Sequence, residues 1–201
     1  MVQQTLDQQA YVEDCLRQVK DGHRSAFDPL VRMYKGKAMG LAYRLLGSVE
    51  DAKDVTQEAF VKAYSQIESF RGESSFQTWF YRILVNLARD CIRRRMRTRK
   101  IFWTQDTGGD SDAPSILDSV SDPRASATGP VLAKELGQVM ARHIQALPQQ
   151  QREAFVMRYV EHMSVSDIAH VLECRPSTVK VHVFRAVGTL RNKLSPYMKR
   201  G

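Results

Sequence analysis

Between Thr104 and Pro130 the chain reads TQDTGGDSDAPSILDSVSDPRASATGP. Asp, Ser, Gly and Pro crowd this stretch, and the apolar residues that return every three or four positions in a packed helix are missing from it. No single core can run through such a segment. The chain is therefore expected to fold as two bodies, residues 1–100 and 131–201, with a linker over residues 101–130.

Both flanking parts carry apolar residues at three- and four-residue spacing, and neither shows an alternating run bounded by turn residues. The expected fold is all-α: two small helical domains joined by a flexible acidic linker. At 201 residues the chain is long enough for one large or two small cores. Thirty Lys and Arg against 22 Asp and Glu give a net charge of +8. By region the balance is +6 for residues 1–100, −4 for 101–130 and +6 for 131–201. Two basic bodies on an acidic tether favour a polyanionic partner over a small acidic substrate.

Several classes are disfavoured. The opening MVQQTLDQQAYVEDCLRQ has neither a basic start nor an apolar run of signal-peptide length. No stretch of about 18 apolar residues appears, so a cytoplasmic protein without membrane insertion is expected. Cys15, Cys91 and Cys174 lie more than seventy residues apart, and structural thiols are the expectation for them. Ser, His and Asp are scattered without a nucleophile elbow, no GKS or GKT phosphate loop occurs, and the five histidines have no metal-ligand spacing with the cysteines. No catalytic residue, metal site or cofactor is assigned.

In SVEDAKDVTQEAFVKAYSQI, Ser48 stands three residues before Asp51, a weak capping box that starts a helix. Ala52, Val55, Ala59 and Ala63 share the face suited to a core. Asp51, Asp54, Gln57, Glu58 and Val61 gather on the opposite face. In a chain this basic, an acidic stripe with an apolar residue in it suits a basic protein partner better than DNA.

The segment FRGESSFQTWFYRILVNLARDCIRRRMRTRK sets Phe70, Phe76, Trp79, Phe80 and Tyr81 just before an arginine run. At about 100° per residue, Phe80, Leu84, Leu87 and Cys91 point one way, with Ile83 and Ala88 at the edges. Arg82, Asn86, Arg89 and Arg93 point the other way, as a ridge able to follow phosphates. Arg94, Arg95, Arg97, Arg99 and Lys100 extend its positive field. Before this helix, Gly72 permits a turn and Ser75 or Thr78 supplies an N-cap. A loop flanked by rings can hold an unstacked base. Phe80 reads as core, and Phe70 and Phe76 suit a core as well as a base; Trp79 and Tyr81, to either side of the buried stripe, are the better candidates for bases.

The second part, LPQQQREAFVMRYVEHMSVSDIAHVLECRPSTVKVHVFRAVGTLRNKL, has the rhythm of a helix-turn-helix. A helix follows Pro148, Ser164 with Asp167 caps a short second helix, a turn covers Glu173 to Arg175, and Pro176 opens the last helix. Val179, Val183, Ala186, Val187, Leu190 and Leu194 form its buried stripe. Ser177, Thr178, Val181 and Arg185 face away, with Lys180 and His182 on the flanks. The N-terminal end of such a helix reads base edges in the major groove. Val181 either meets a thymine methyl or is an ordinary exposed valine, and Arg185 reaches either a guanine or a phosphate.

The order AFDPLVRMY, RLLGSVEDAKDVTQEAFVKAYSQIESFRGESSFQTWFYRILVNLARDCIRR, acidic linker, then LPQQQREAFVMRYVEHMSVSDIAHVLECRPSTVKVHVFRA closely resembles the extracytoplasmic-function (ECF) sigma factors of bacterial RNA polymerase. The likeness covers about residues 24–100 and 135–195. It implies a region 2 domain over 1–100, with Asp51, Asp54, Gln57 and Glu58 docking on the clamp coiled coil of core RNA polymerase. It implies that Phe70, Arg71, Ser75, Phe76, Trp79, Tyr81, Arg82, Asn86, Arg89 and Arg93 recognise and melt the minus-ten element. It implies a region 4 helix-turn-helix over 131–201, with Arg175, Ser177, Thr178, Lys180, Val181, His182 and Arg185 on the minus-thirty-five element and other surfaces on the polymerase flap. The tether would run toward the RNA exit path, and an anti-sigma factor would hold the protein inactive until a stress signal. Glu173 stands where the turn often has glycine, and Val181 and His182 stand where Ser and Arg are common, which bears on the DNA sequence read rather than on the fold.

Two other readings are weaker. A stand-alone helix-turn-helix regulator explains the second part but gives the acidic face, aromatic loop and cationic ridge no joint purpose. An anti-sigma or adaptor protein predicts binding to polymerase or sigma with no DNA recognition.

Overall fold

The computed structural model describes residues 2–103 and 131–198 of the chain. Among them are eight α-helices, two 3-10 turns and no strand. The expected linker, from residue 104 to 130, lies outside the described residues.

Helix α1 (Val2–Lys20) buries Val12, Cys15, Leu16 and Val19, a stripe at three- and four-residue spacing. Helix α2 (Asp28–Leu46) has Pro29 in its first turn, where the missing N–H costs no hydrogen bond. It ends at Gly47, whose φ of 71° lies in the left-handed region and whose N–H returns to the Tyr43 carbonyl. Helix α3 (Val49–Ser65) is capped by Ser48, whose hydroxyl accepts from the Asp51 N–H. Its Ala52, Val55, Ala59 and Ala63 are buried, as their spacing predicts. Helices α2 and α3 pack on each other, and both bury small residues, Ala38 and Ala42 in α2 and Ala52, Ala59 and Ala63 in α3.

Helix α4 (Phe76–Trp103) is the centre of the molecule. Ser75 caps it by accepting from the Thr78 N–H at 3.1 Å. Phe80, Leu84, Leu87 and Cys91 face α2 and α3 as expected. Phe80 is fully enclosed and stacks on Phe60 with ring centres 4.6 Å apart; its replacement by alanine would cost about 3–5 kcal/mol. The other side of α4 is enclosed as well: Tyr81 and Val85 have no exposed surface.

What covers that second side is the C-terminal half. It comprises α5 (Val131–Gln145), α6 (Gln149–Tyr159), α7 (Val165–Leu172) and α8 (Pro176–Met198). Helix α7 packs on α4, and α5 and α6 pack on α2. Ala154, Val156, Met157, Ile168 and Val171 join the same apolar cluster as Leu84 and Phe80, so one core crosses from half to half. A smaller cluster of Leu147, Ala186, Leu190 and Leu194 ties α8 back to the start of α6. At the far edge Gln145 donates to the carbonyls of Arg44 (2.7 Å) and Tyr43 (3.3 Å), satisfying the open C-terminus of α2. No helix among the described residues is long and apolar enough to cross a membrane.

Candidate nucleic-acid and protein interfaces

The acidic stripe of α3 stands clear of the rest of the protein. Asp54, Gln57 and Glu58 are exposed, and Val61 between them keeps 64% of its surface in solvent. A half-exposed Asp51 differs from its neighbours because Arg95 of α4 forms an ion pair with it. The face thus presents two free carboxylates and a large apolar residue, the composition of a small protein-docking patch.

The aromatic loop is less open than its sequence suggests. Phe76 and Trp79 are buried, and Phe70 is half-buried; their ring centres lie 5.4–6.1 Å apart in one cluster. Phe76 also leans on Tyr34 and stacks on Phe80, which ties the loop to the core. Lys20 donates to the Phe70 carbonyl at 2.6 Å and fixes the loop from α1. Arg71 and Ser75 are exposed. Gly72, with φ of 76°, makes the turn that brings Arg71 round toward Trp79 and Arg82. Together they line an open pocket, and its far wall is His170 of α7.

Tyr81 and Trp79 therefore differ from the expectation that they flank the buried stripe in the open. The reason is tertiary: Phe70 and Phe76 pack on the Trp79 ring, and Tyr81 lies under the turn between α6 and α7. The Tyr81 hydroxyl donates to Glu161 at 2.8 Å. Burial, then the Glu161 charge, push this phenol far above the usual tyrosine range, which keeps it a donor.

The polar ridge is present, but two of its members are engaged by the C-terminal half. Arg89 holds Glu153 with both prongs of its guanidinium, at 3.0 and 2.7 Å. The hydrogen bond with Glu153 raises the Arg89 pKa despite partial burial. Arg82 is exposed and 3.9 Å from Glu173. Asn86 is half-buried, while Arg93 points to solvent and pairs with Asp90 on its own helix.

The helix-turn-helix is α7, its turn and α8. Ser164 accepts from the Asp167 N–H at 3.0 Å to start α7. Glu173 ends it in the left-handed region at φ 54°. Pro176 opens α8 as the sequence indicates. Val179, Ala186, Leu190 and Leu194 are buried, whereas Arg175, Ser177, Lys180, Val181 and Arg185 are exposed and Thr178 and His182 half-buried. Sequence reasoning passed over Phe184, the most exposed large apolar side chain in this helix at 80%. It stands one helical turn beyond Val181 on the outward face. The available signal was an aromatic residue outside the buried stripe.

Comparison with known proteins gives the family. The Sigma-70 region 2 model matches residues 30–98 and the Sigma-70 region 4 model residues 138–190. The ECF RNA polymerase sigma-E factor of Haemophilus influenzae is 37% identical, over 98% of this chain and all of that protein. The chain belongs to the ECF sigma factors. The RNA polymerase sigma-H factor of Pseudomonas aeruginosa is 34% identical over 99% of both chains, and SigW of Bacillus subtilis is 32% identical over 89% of this chain and 94% of its own. This sigma factor is thus an alternative specificity subunit, one that gives RNA polymerase promoter recognition and strand opening at initiation. Its fold is shared by two solved structures. One is the sigma factor RpoE bound to the anti-sigma factor NepR from Bartonella quintana (TM-score 0.63, 23% identity, 85% of this chain and 98% of that one). The other is CnrH with the cytosolic domain of CnrY (TM-score 0.63, 24% identity, 90% and 96%).

Proposed function

We propose that this sigma factor divides its work along the chain. Residues 1–100 form the domain that docks on polymerase and holds the separated minus-ten strand. Residues 101–130 are the tether, and residues 131–201 form the domain that binds the minus-thirty-five duplex. Asp54, Gln57 and Glu58, with Asp51 at the edge and Val61 among them, meet the clamp coiled coil. Phe70, Arg71, Ser75, Phe76, Trp79 and Tyr81 serve base capture, and Arg82, Asn86, Arg89 and Arg93 follow the backbone. Arg175, Ser177, Thr178, Lys180, Val181, His182 and Arg185 contact the minus-thirty-five element, joined by Phe184.

The observation that carries this reading is the coexistence of three distinct surfaces, an acidic-apolar face on α3, an aromatic loop beside cationic α4, and an outward recognition helix. A stand-alone regulator needs only the last. Binding energy rather than covalent chemistry performs the work, and the protein is not an enzyme. Its place is the cytoplasm, where polymerase and promoters are. An anti-sigma factor controls it; two proteins of the same fold were captured with such partners or with a cytosolic fragment.

The test mixes the purified chain with core RNA polymerase and a pool of genomic fragments and sequences the transcripts. Initiation at a defined subset supports the reading, and failure at every fragment overturns it. Asp54→Lys with Glu58→Lys, both on the exposed face of α3, should reduce core-polymerase binding at least tenfold while leaving the helical content intact.

A further inference from the structure

Helix α1 ends in a rigid seat beside the aromatic loop. Val12, Cys15, Leu16 and Val19 bury one side of it. Its last turn is closed by the N–H groups of Asp21, Gly22 and His23, which return to the carbonyls of Arg17, Val19 and Gln18, with Gly22 at φ 94°. Lys20, the final residue of the helix, is exposed and takes no part in the core. It reaches 50 residues along the chain to donate to the Phe70 carbonyl at 2.6 Å. Its ammonium also stands 5.8 Å from the centre of the Phe70 ring, within the range of a cation–π contact. Among the described residues, no side chain from another element donates to any other backbone carbonyl of residues 69–75.

Phe70 is where the loop begins. Its N–H closes the short turn Ile67–Ser69 by bonding to the Ile67 carbonyl, and its ring packs on Trp79 and Phe76. From there the chain runs through Arg71, Gly72, Glu73 and Ser74 to Ser75, the cap of α4. These residues, with Thr78 and Trp79, line the pocket of about 120 Å³ described above, and Lys20 does not line it. We propose that Lys20 is a positioning residue for base capture: it sets the Phe70 end of the loop before the separated strand arrives and so governs how tightly that strand is held, without touching it. This rests on the base-capturing role given to the loop under the proposed function. A shift of Phe70 moves both its ring on Trp79 and the first residue of the pocket wall, Arg71. A loop already held in its binding shape loses less conformational freedom when a base enters, and that saving appears as affinity. A charge-assisted hydrogen bond to a backbone carbonyl suits the task, because it fixes the main chain and leaves the side chains of the loop free to meet the base.

Three full-length variants test this. Lys20→Met keeps an unbranched apolar stem but neither donates nor carries charge, and Lys20→Arg keeps both properties. Arg17→Met removes a charge one turn earlier on α1, at a side chain 71% exposed that pairs with Asp14 rather than with the loop. In the free chain, amide hydrogen exchange is read by NMR at Phe70 and Thr78, whose N–H groups are bonded at the two ends of the loop. With core polymerase, two affinities are read: for a fluorescent single strand carrying the minus-ten element of a promoter at which the wild type initiates, and for a duplex carrying only its minus-thirty-five element. Lys20→Met should speed exchange at Phe70 and weaken the single strand about fivefold or more, while the duplex stays within about twofold. Lys20→Arg and Arg17→Met should stay within about twofold of wild type in all three measurements. Unchanged exchange at Phe70 overturns the hold of Lys20 on the loop. An equal loss with Arg17→Met, or an equal loss on duplex and single strand, overturns positioning in favour of general charge or general folding. Failure of the wild type to initiate at any promoter would instead remove the base-capturing role of the loop, a result on which the exchange measurement does not depend.

Discussion

Arg89 of α4 and Glu153 of α6, 64 residues apart in the chain, form a two-pronged ion pair in which the carboxylate is 2% exposed and the guanidinium 21%. Gln149 completes the site by donating to the same carboxylate at 3.0 Å. A pair this enclosed is costly to break from one side, because the carboxylate left behind is desolvated. Arg89→Ala should therefore weaken the joint between the halves by about 3–5 kcal/mol. The measurement is thermal unfolding by circular dichroism: a single transition in wild type is expected to fall and to separate into two in the variant.

On α8 the exposed cations should differ in kind. Arg185 faces outward among Val181 and Phe184, whereas Lys180 is on the flank. If Arg185 reads a base edge, Arg185→Ala costs about 1–3 kcal/mol and relaxes preference at one position of the minus-thirty-five element. Lys180→Ala should weaken all sequences alike and lower the slope of log K against log salt by about 1. Titration of duplex DNA at several salt concentrations separates the two.

Tyr81 and Tyr34 are held in the neutral form by burial, both above the usual value of 10.0. A group that binds its proton more tightly when folded supports the fold fully below its unfolded pKa and loses that support as pH rises past it. Stability should be level through neutral pH on this account and fall above about pH 10. Tyr81→Phe, which cannot ionise, should move the alkaline unfolding midpoint upward in a pH titration followed by circular dichroism.

The elements were legible because their signals are local. Ser48 and Ser164, each three residues before an aspartate, announce their helices, Pro176 opens α8, and the stripes of α3, α4 and α8 follow from helical spacing. The burial of Trp79 and Tyr81 was not legible. For Tyr81 it involves Glu161, 80 positions away, whose charge looks in sequence like an ordinary solvated acid, and for Trp79 it comes from Phe70 and Phe76 folding onto its ring. Helical periodicity tells which side of α4 is apolar, but it carries no information on what covers the other side. Phe184 was missed for the complementary reason: a single exposed ring on an amphipathic helix breaks no pattern.

The turn of the helix-turn-helix offers a test in which two effects have opposite signs. Glu173 adopts φ 54°, a conformation that costs a side-chain-bearing residue about 1 kcal/mol relative to glycine. Its carboxylate is exposed and 3.9 Å from Arg82, an ion pair of the kind worth under about 1 kcal/mol. Within the C-terminal half only the backbone matters, so Glu173→Gly should stabilise that half by up to about 1 kcal/mol. Across the joint only the charge matters, so the same change should loosen α7 from α4. Hydrogen exchange resolves the two: protection should rise in α8 and fall around Arg82. A uniform fall in both would show that Glu173 stabilises its own turn by contacts of its side chain, contrary to the strain argued from its backbone.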